Sequence, residues 1–218
     1  MTEVAEQIPS TEVSVTKETV DPKTLMLRTP WALHFSCQTK TSSWETKRIY
    51  AFDNVADFMN LGNHTKLPSN FAGTIELSMF REGVVPAWEY EPAKSGGRWN
   101  VRIEKFHDSQ IDLAWSEMLL AMVGDTMMHG LPESIQSHVL GIAYSGKPQA
   151  ARKLSLWTSC RDAEQCNIIG NRFKDTLQAI LPMKELGEFL FNDFTTNDKY
   201  AFVIGTKQSR GKGSSKRN

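Results

Sequence analysis

Pro86-Ala87-Trp88-Glu89-Tyr90-Glu91-Pro92-Ala93-Lys94-Ser95-Gly96-Gly97-Arg98-Trp99 sets an aromatic ring, Trp88, directly before a carboxylate, Glu89. A Lys94-Ser95-Gly96-Gly97 segment, expected to be flexible, separates that pair from the cation Arg98. A flat wall, a hydrogen-bond acceptor and a cation on one loop suit a planar base with a phosphate tail: the ring stacks, the carboxylate accepts paired N–H donors, and the guanidinium meets phosphate. The same residues also describe a surface hairpin with a half-buried Trp88. The loop then runs into Trp99-Asn100-Val101-Arg102-Ile103, whose apolar and polar residues alternate as in a half-buried strand.

Outward from this stretch, short strands are expected at 31–35, 48–52, 74–80, 139–144, 153–158, 186–191 and 200–204, with a turn at Glu82-Gly83. Three helices interrupt them. Asp53 or Asn54 caps the first, through Val55, Phe58 and Leu61, and Gly62 ends it. Asp108 caps the second, 109–123, where Ile111, Ala114, Trp115, Met118, Leu119 and Met122 form one apolar stripe. Asp162 caps the third, which puts Cys166, Ile169, Phe173 and Leu177 on one face and stops before Pro182. Regular strand–helix alternation is lacking. The expected fold is therefore α+β: one antiparallel sheet with helices packed on one face.

Composition bounds the rest. The chain has 218 residues, of which 40% are hydrophobic and 23% charged, which fits a globular domain with a proper core. Lys+Arg and Asp+Glu are 25 each, so any phosphate recognition must be local rather than global. Residues 1–24 lean acidic and lack a helical period, and 206–218 are basic. Both are expected to be disordered tails flanking a single domain at 25–205. Cys37, Cys160 and Cys166 make neither a metal spacing nor a disulfide framework. No signal peptide or membrane-spanning run is evident, so a cytoplasmic protein, with a nuclear fraction allowed, is expected.

Trp44 sits in a polar stretch where nothing local explains an aromatic. Either it folds back onto the core or it is the second wall of a base-binding slot with Trp88. Two indoles around one base make sense if the base is electron-poor. A 7-methylguanine ring is cationic, attracts both indole faces, and strengthens the bond to Glu89. Stacking, carboxylate and phosphate contacts together could reach about −8 kcal/mol, a micromolar constant. The phosphate side would draw on Arg98, Lys147, Arg152 and Lys153, each of which is otherwise an ordinary surface cation.

Catalysis finds little support. His34, His64, His107, His129 and His138 fall in no metal pattern, and no nucleophile elbow appears. The Gly205 to Gly213 tail fails as a phosphate loop: its spacing is one residue too long, Gly213 stands where Ser or Thr is needed, and no helix follows. No enzyme activity, cofactor or metal is expected.

The ordered pieces Trp31-Ala32-Leu33, Trp44, Val55-x-Asp57-Phe58, Phe80-Arg81-Glu82-Gly83-Val84-x-Pro86-x-Trp88-Glu89, Gly96-Gly97-Arg98-Trp99, Trp115-x-Glu117-x-Leu119-Leu120, Leu156-Trp157-Thr158 and Ile169-Gly170 resemble the translation initiation factor 4E family, the messenger-RNA cap-binding proteins. The resemblance spans about residues 31–204. It implies a curved antiparallel sheet with three long helices on its convex back and a cap slot on its concave side. Trp44 and Trp88 would sandwich the 7-methylguanine, Glu89 would pair with its edge, and Trp157 would lie by the methyl group. Arg98 would contact phosphate, with Lys147 and Lys153, or Arg152, supplying the second basic cluster. It implies two partners, capped mRNA and a scaffold or regulatory initiation protein on the helical back, for a monomeric protein away from membranes.

The back departs from the family pattern. Leu25 and Met26 stand in place of a His-Pro pair, Met59 replaces a tryptophan anchor and Ser116 a leucine, while Val55, Trp115, Glu117 and Leu120 are retained. The resemblance thus implies a divergent paralogue whose standard scaffold helix binds weakly or through altered contacts. A translational repressor or message-storage role, a nucleotide-acting enzyme, and an interaction module that has lost cap binding are the alternatives.

Overall fold

The computed structural model describes residues 21–38, 44–146, 151–182, 184–199 and 201–205. Lys147 therefore lies outside the described residues, as do 1–20 and 206–218. Asp21 accepts from the Lys23 N–H and the Thr24 hydroxyl, closing a short 3-10 turn.

Among the described residues the strands are β1 (Met26–Gln38), β2 (Trp44–Asn54), β3 (Ile75–Arg81), β4 (Gly97–Arg102), β5 (Val139–Gly146), β6 (Lys153–Thr158), β7 (Phe189–Asp193) and β8 (Phe202–Ile204). They form one curved sheet in the order β2-β1-β3-β5-β6-β4-β7-β8, antiparallel throughout. The helices are α1 (Val55–His64), α2 (Asp108–Val123), α3 (Glu133–Gln136) and α4 (Ala163–Ile180).

Strand alternation separates two faces. Leu33 and Phe35 of β1, Leu77 and Met79 of β3, Ile142 of β5, Leu154 and Leu156 of β6 and Trp99 and Val101 of β4 join Phe58, Met118 and Phe173 of the helices in the main core. The opposite, concave face carries a much smaller apolar cluster of Phe80, Ala93, Leu140, Ala143 and Trp157. Trp99 is fully buried, packs 5.2 Å from Phe191, and donates its indole N–H to the Cys166 carbonyl of α4 at 3.0 Å. Burial of such a ring contributes on the order of 2–3 kcal/mol, and the hydrogen bond keeps its polar atom satisfied.

Helix signals were read correctly at two starts. Asn54 Oδ1 accepts from the Asp57 N–H at 2.9 Å, and Asp162 Oδ1 from the Gln165 N–H at 2.9 Å. At α2 the cap is His107, and Asp108 is already helical. The Gln110 side chain reaches back to accept from the His107 N–H at 3.0 Å. Gly62 does not end α1, which continues to His64. The strand expected at 31–35 is the centre of a longer one, and the last two strands begin later than expected. The four-residue α3 carries no periodicity that would have announced it.

The largest local correction concerns Lys94-Ser95-Gly96-Gly97. Ala93–Ser95 is a 3-10 turn, and Gly96 and Gly97 are buried. A Cβ on Gly96 would stand 2.0 Å from the Thr158 carbonyl oxygen, and one on Gly97 would stand 2.3 Å from the Asn192 carbonyl oxygen. The glycines are there for close backbone approach to β6 and β7, not for flexibility. Gly96→Ala is accordingly expected to lower stability by about 1–3 kcal/mol, an overpacking cost, measured as a shift in the urea unfolding midpoint.

Candidate functional site

The register arranges the concave face in three cross-strand rows. The first contains Thr46, Ser36, Glu76, Ser145, Lys153 and Arg102; the second Arg48, His34, Ser78, Ala143, Ser155 and Asn100. The third contains Ala32, Phe80, Gly141, Trp157, Arg98 and Asn192. Successive rows lie roughly 7 Å apart along the strands.

Two loops fold onto the third row. The 82–96 loop contributes Ala93 and Val84 to the cluster around Trp157, and the turn after β7 contributes Phe194. The Trp157 ring is 5.4 Å from Phe80 and 4.9 Å from Phe194. Trp88 and Glu89 stand on the exposed side of that loop, with Trp88 half exposed at 50%. They line an open cleft with Lys94, Arg161, Phe194 and Thr195. Trp88, Glu89 and the Trp157 cluster are thus brought to one end of the face.

Arg98 reaches the same place from below. Its guanidinium lies 5.2 Å from the Trp157 ring centroid and 5.8 Å from that of Phe194. Both Arg98 Nε and Trp157 Nε1 are buried without a hydrogen-bond partner. Burial lowers the pKa of Arg98, and Glu76 opposes the shift; an arginine stays charged regardless. Burial likewise lowers the pKa of Lys153, with repulsion from Arg98 adding to it and Glu76 opposing. One Glu76 oxygen already accepts from the Ser145 hydroxyl at 2.6 Å. Two partly desolvated cations, Lys153 in the first row and Arg98 in the third, thus stand on adjacent strands with Glu76 of β3 as their opposing carboxylate, which suits a multiply charged anion.

The other expected site residues fare differently. Trp44 does not fold back onto the core: it opens β2, pairs with Gln38, and is 51% exposed. It is not among the residues that line the Trp88 cleft. Cys37 pairs with Ile75 and Trp31 with Arg81, so the β1–β2 hairpin and the loop after β3 leave the sheet at opposite ends. Arg152 is committed elsewhere, donating to the Asp108 carboxylate and to the Phe106 carbonyl at 2.9 Å. Sequence reasoning missed Phe194, which covers Trp157, and the turn that holds it. Asp193 Oδ1 accepts from the N–H groups of Thr195 at 2.7 Å and Thr196 at 3.1 Å, while Oδ2 accepts from Arg161. No local pattern around Phe194 distinguishes it from an ordinary loop aromatic.

On the convex side α1 and α2 bound an apolar groove lined by Met59, Leu61, Leu67, Trp115, Ser116 and Leu120 among others. Trp115 is buried, Met59 and Leu120 are about half exposed, Val55 is partly buried and Glu117 is exposed. Ser116 turns its hydroxyl back to the Asp112 carbonyl at 2.9 Å and so presents little polarity to the groove. Leu25 and Met26 are exposed at the strand entry.

The sheet thus has an aromatic and cationic concave face and a grooved helical back. The family model described as Eukaryotic initiation factor 4E matches residues 26–204, and the chain belongs to that family. It is 34% identical over 164 residues to Eukaryotic translation initiation factor 4E-1B of Danio rerio, covering 72% of each chain. Among solved structures it is similar to Ascaris suum eIF4E-3 in complex with m2,2,7G cap, with 29% identity and a TM-score of 0.71 over 83% of this chain and 98% of that one. The same Ascaris suum protein is also solved with m7G cap. C. elegans eIF4E-3 with the 4E-binding protein Mextli is 25% identical, with a TM-score of 0.72 over 83% and 99% of the two chains. No described helix is long and apolar enough to cross a membrane.

Asp193 makes the Phe194 turn sensitive to acid. Burial pushes its pKa up, but the Thr196 and Thr195 N–H groups and Arg161 outweigh this and leave it below the ordinary carboxylate value. Its contribution is therefore present at neutral pH and lost as pH falls through that lowered pKa. Asp193→Asn is expected to cost about 1 kcal/mol at pH 7, as loss of a capping carboxylate does, and to flatten the fall in stability toward pH 3. Urea unfolding at the two pH values measures both.

Proposed function

We propose that this chain binds the 7-methylguanosine 5′ cap of messenger RNA on its concave face and serves translation initiation through a protein on its helical back. The observation that carries the reading is Trp88 with Glu89, exposed together above the buried Trp157 and Arg98. The base stacks on Trp88, its N–H edge pairs with Glu89, and its methyl group meets Trp157 once Phe194 turns aside. The phosphates run toward Arg98, Lys153 and Lys147. Arg152 serves to anchor the start of α2, giving one donor to Asp108 and one to the Phe106 carbonyl, and contributes less to the phosphates. Trp44, half exposed at the start of β2, stacks on the other face of the base. Cap complexes of a relative with either m7G or m2,2,7G support the assignment of the ligand class.

The protein acts by holding this ligand, without turnover, in the cytoplasm, as a single domain over 25–205 between tails at 1–24 and 206–218. Titration with 7-methyl-GTP is expected to quench tryptophan fluorescence with a micromolar or tighter constant. Plain GTP is expected to bind at least tenfold more weakly, and Glu89→Ala to remove most of the affinity. Equal responses to the two nucleotides, or none, would exclude this reading in favour of an interaction module without cap binding.

The partner helix lies in the groove between α1 and α2, contacting Val55, Met59, Ser116, Glu117 and Leu120 over the floor made by Trp115. Replacement of two large anchors by Met59 and Ser116 weakens the standard scaffold motif and favours a specialised partner, a regulatory or message-storage setting. A labelled standard scaffold peptide is expected to bind weakly, and about tenfold or more tighter to Met59→Trp. Tight binding to the wild type, unchanged by Met59→Ala, would contradict this.

A further inference from the structure

Beyond Lys153 the concave face carries further cations that the scheme above does not use. Lys153 of β6 and Arg102 of β4 are direct cross-strand partners. Val101, Ile103 and Leu154 beside them belong to the helix-side core, so alternation turns both cations to the concave face. On β7 the core takes Phe189 and Phe191, which leaves Leu190 and Asn192 on the concave side. These four residues line an open depression with Asn100 and Lys199. Glu188 is the one acidic residue among those that line it. The Arg102 side chain is 74% exposed and meets the Glu104 carboxylate only at 3.9 Å, a contact worth little in water. Lys199 is exposed as well.

Strand register fixes where the chain goes after β8. Asp193 stands beside Gly97 and Leu190 beside Asn100, so β7 read from 193 back to 189 runs the same way as β4 from Gly97 to Arg102. β8 takes that direction, because Phe202 pairs with Phe191 and Ile204 with Phe189. The chain therefore leaves the sheet at the Arg102–Lys153 end. The sequence that follows is basic: Lys207, Arg210, Lys212, Lys216 and Arg217 fall within 206–218, with no acidic and no aromatic residue among them. β8 lies two strands from β4, roughly 10 Å. The three residues from Ile204 to Lys207 can span about 10 Å, so the first of these cations is within reach of the depression. The acidic-leaning segment before β1 joins the sheet at the opposite end, since β1 runs from the Arg81 side toward Ile75, Gly146 and Lys153.

We propose that Arg102, Lys199 and the basic segment 206–218 form a second RNA-binding surface, which holds the phosphates of the nucleotides that follow the cap. This rests on the cap-binding reading, in which the cap phosphates run toward Lys153. Lys153 also lines the depression, so a strand continuing past it meets Arg102 and Lys199 next and the basic segment after them. The ligand is a polyanion with one charge per nucleotide, and the surface offers a matching series of separate cations. With no aromatic in the segment to stack a base, the contact is to the backbone and independent of sequence.

The test titrates the full chain with 7-methyl-GTP, with a capped RNA of about ten nucleotides and with the same RNA uncapped, at about 50 and 200 mM salt. One variant combines Arg102→Gln and Lys199→Gln. The other combines Lys207→Gln, Arg210→Gln, Lys212→Gln, Lys216→Gln and Arg217→Gln. Three or four further phosphates, at about 0.7 each, make the logarithm of the capped-RNA affinity fall more steeply with log salt than that of 7-methyl-GTP, by about 2 to 3. Over this salt range that is an extra loss of about 20- to 50-fold. Each variant is expected to lose about one unit or more of the excess slope and to keep 7-methyl-GTP affinity within about twofold. A capped-RNA slope no steeper than that of 7-methyl-GTP, or an excess that either variant leaves unchanged, would overturn the surface while leaving cap binding standing. If 7-methyl-GTP fails to bind but uncapped RNA keeps a steep slope that both variants reduce, the cap reading alone falls.

Discussion

The indole N–H of Trp99 bonded to the Cys166 carbonyl is the contact on which the arrangement turns. It ties the centre of β4 to the first turns of α4. Gly170 lets the helix come that close, since a Cβ there would stand 2.4 Å from the Trp99 ring. With Trp99 held on the helix side, the two-residue period of a strand leaves Arg98 no choice but the concave face. The same period sends Trp157 there from β6, because Leu154 and Leu156 are taken by the core. The cation and the aromatic that meet beneath the loops are thus by-products of how the core is filled.

The two faces are built on different terms. The helix side is closed by packing, with large side chains such as Phe173, Phe189 and Met118 fully buried, although Trp31 Nε1 and Gln178 Nε2 are buried there without a partner. The concave side keeps His34 Nδ1, Ser78 Oγ, Arg98 Nε and Trp157 Nε1 desolvated but unpaired. Each is a local loss of stability that the core must offset.

Much of the architecture was legible because it depends on short-range chemistry. Alternation located β3, β4 and β6, side-chain capping located α1 and α4, and the apolar stripe of α2 needed no tertiary knowledge. Errors fell where longer-range contacts decide. Gly96 and Gly97 look like a hinge in one dimension, but they are squeezed against β6 and β7 in three. Asp108 is a good capping residue, yet it lies one position inside the helix and is bound by Arg152 from across the sheet. Trp44 looked like a loop residue and is the first residue of a strand.

The sequence by itself determined the fold class, the separation of the inner and outer strand faces, and the family, because periodicity, capping and ordered motifs are properties of neighbours along the chain. Tertiary structure decided which cations are free and which are spent, that Phe194 lies over Trp157, that His34 and Ser78 stand side by side unpaired, and that Trp44 and Trp88 start from opposite ends of the sheet. These depend on strand order and register. Pairings such as His34 with Ser78 and Arg98 with Trp157 join residues 44 and 59 positions apart, and no local pattern carries information across such separations.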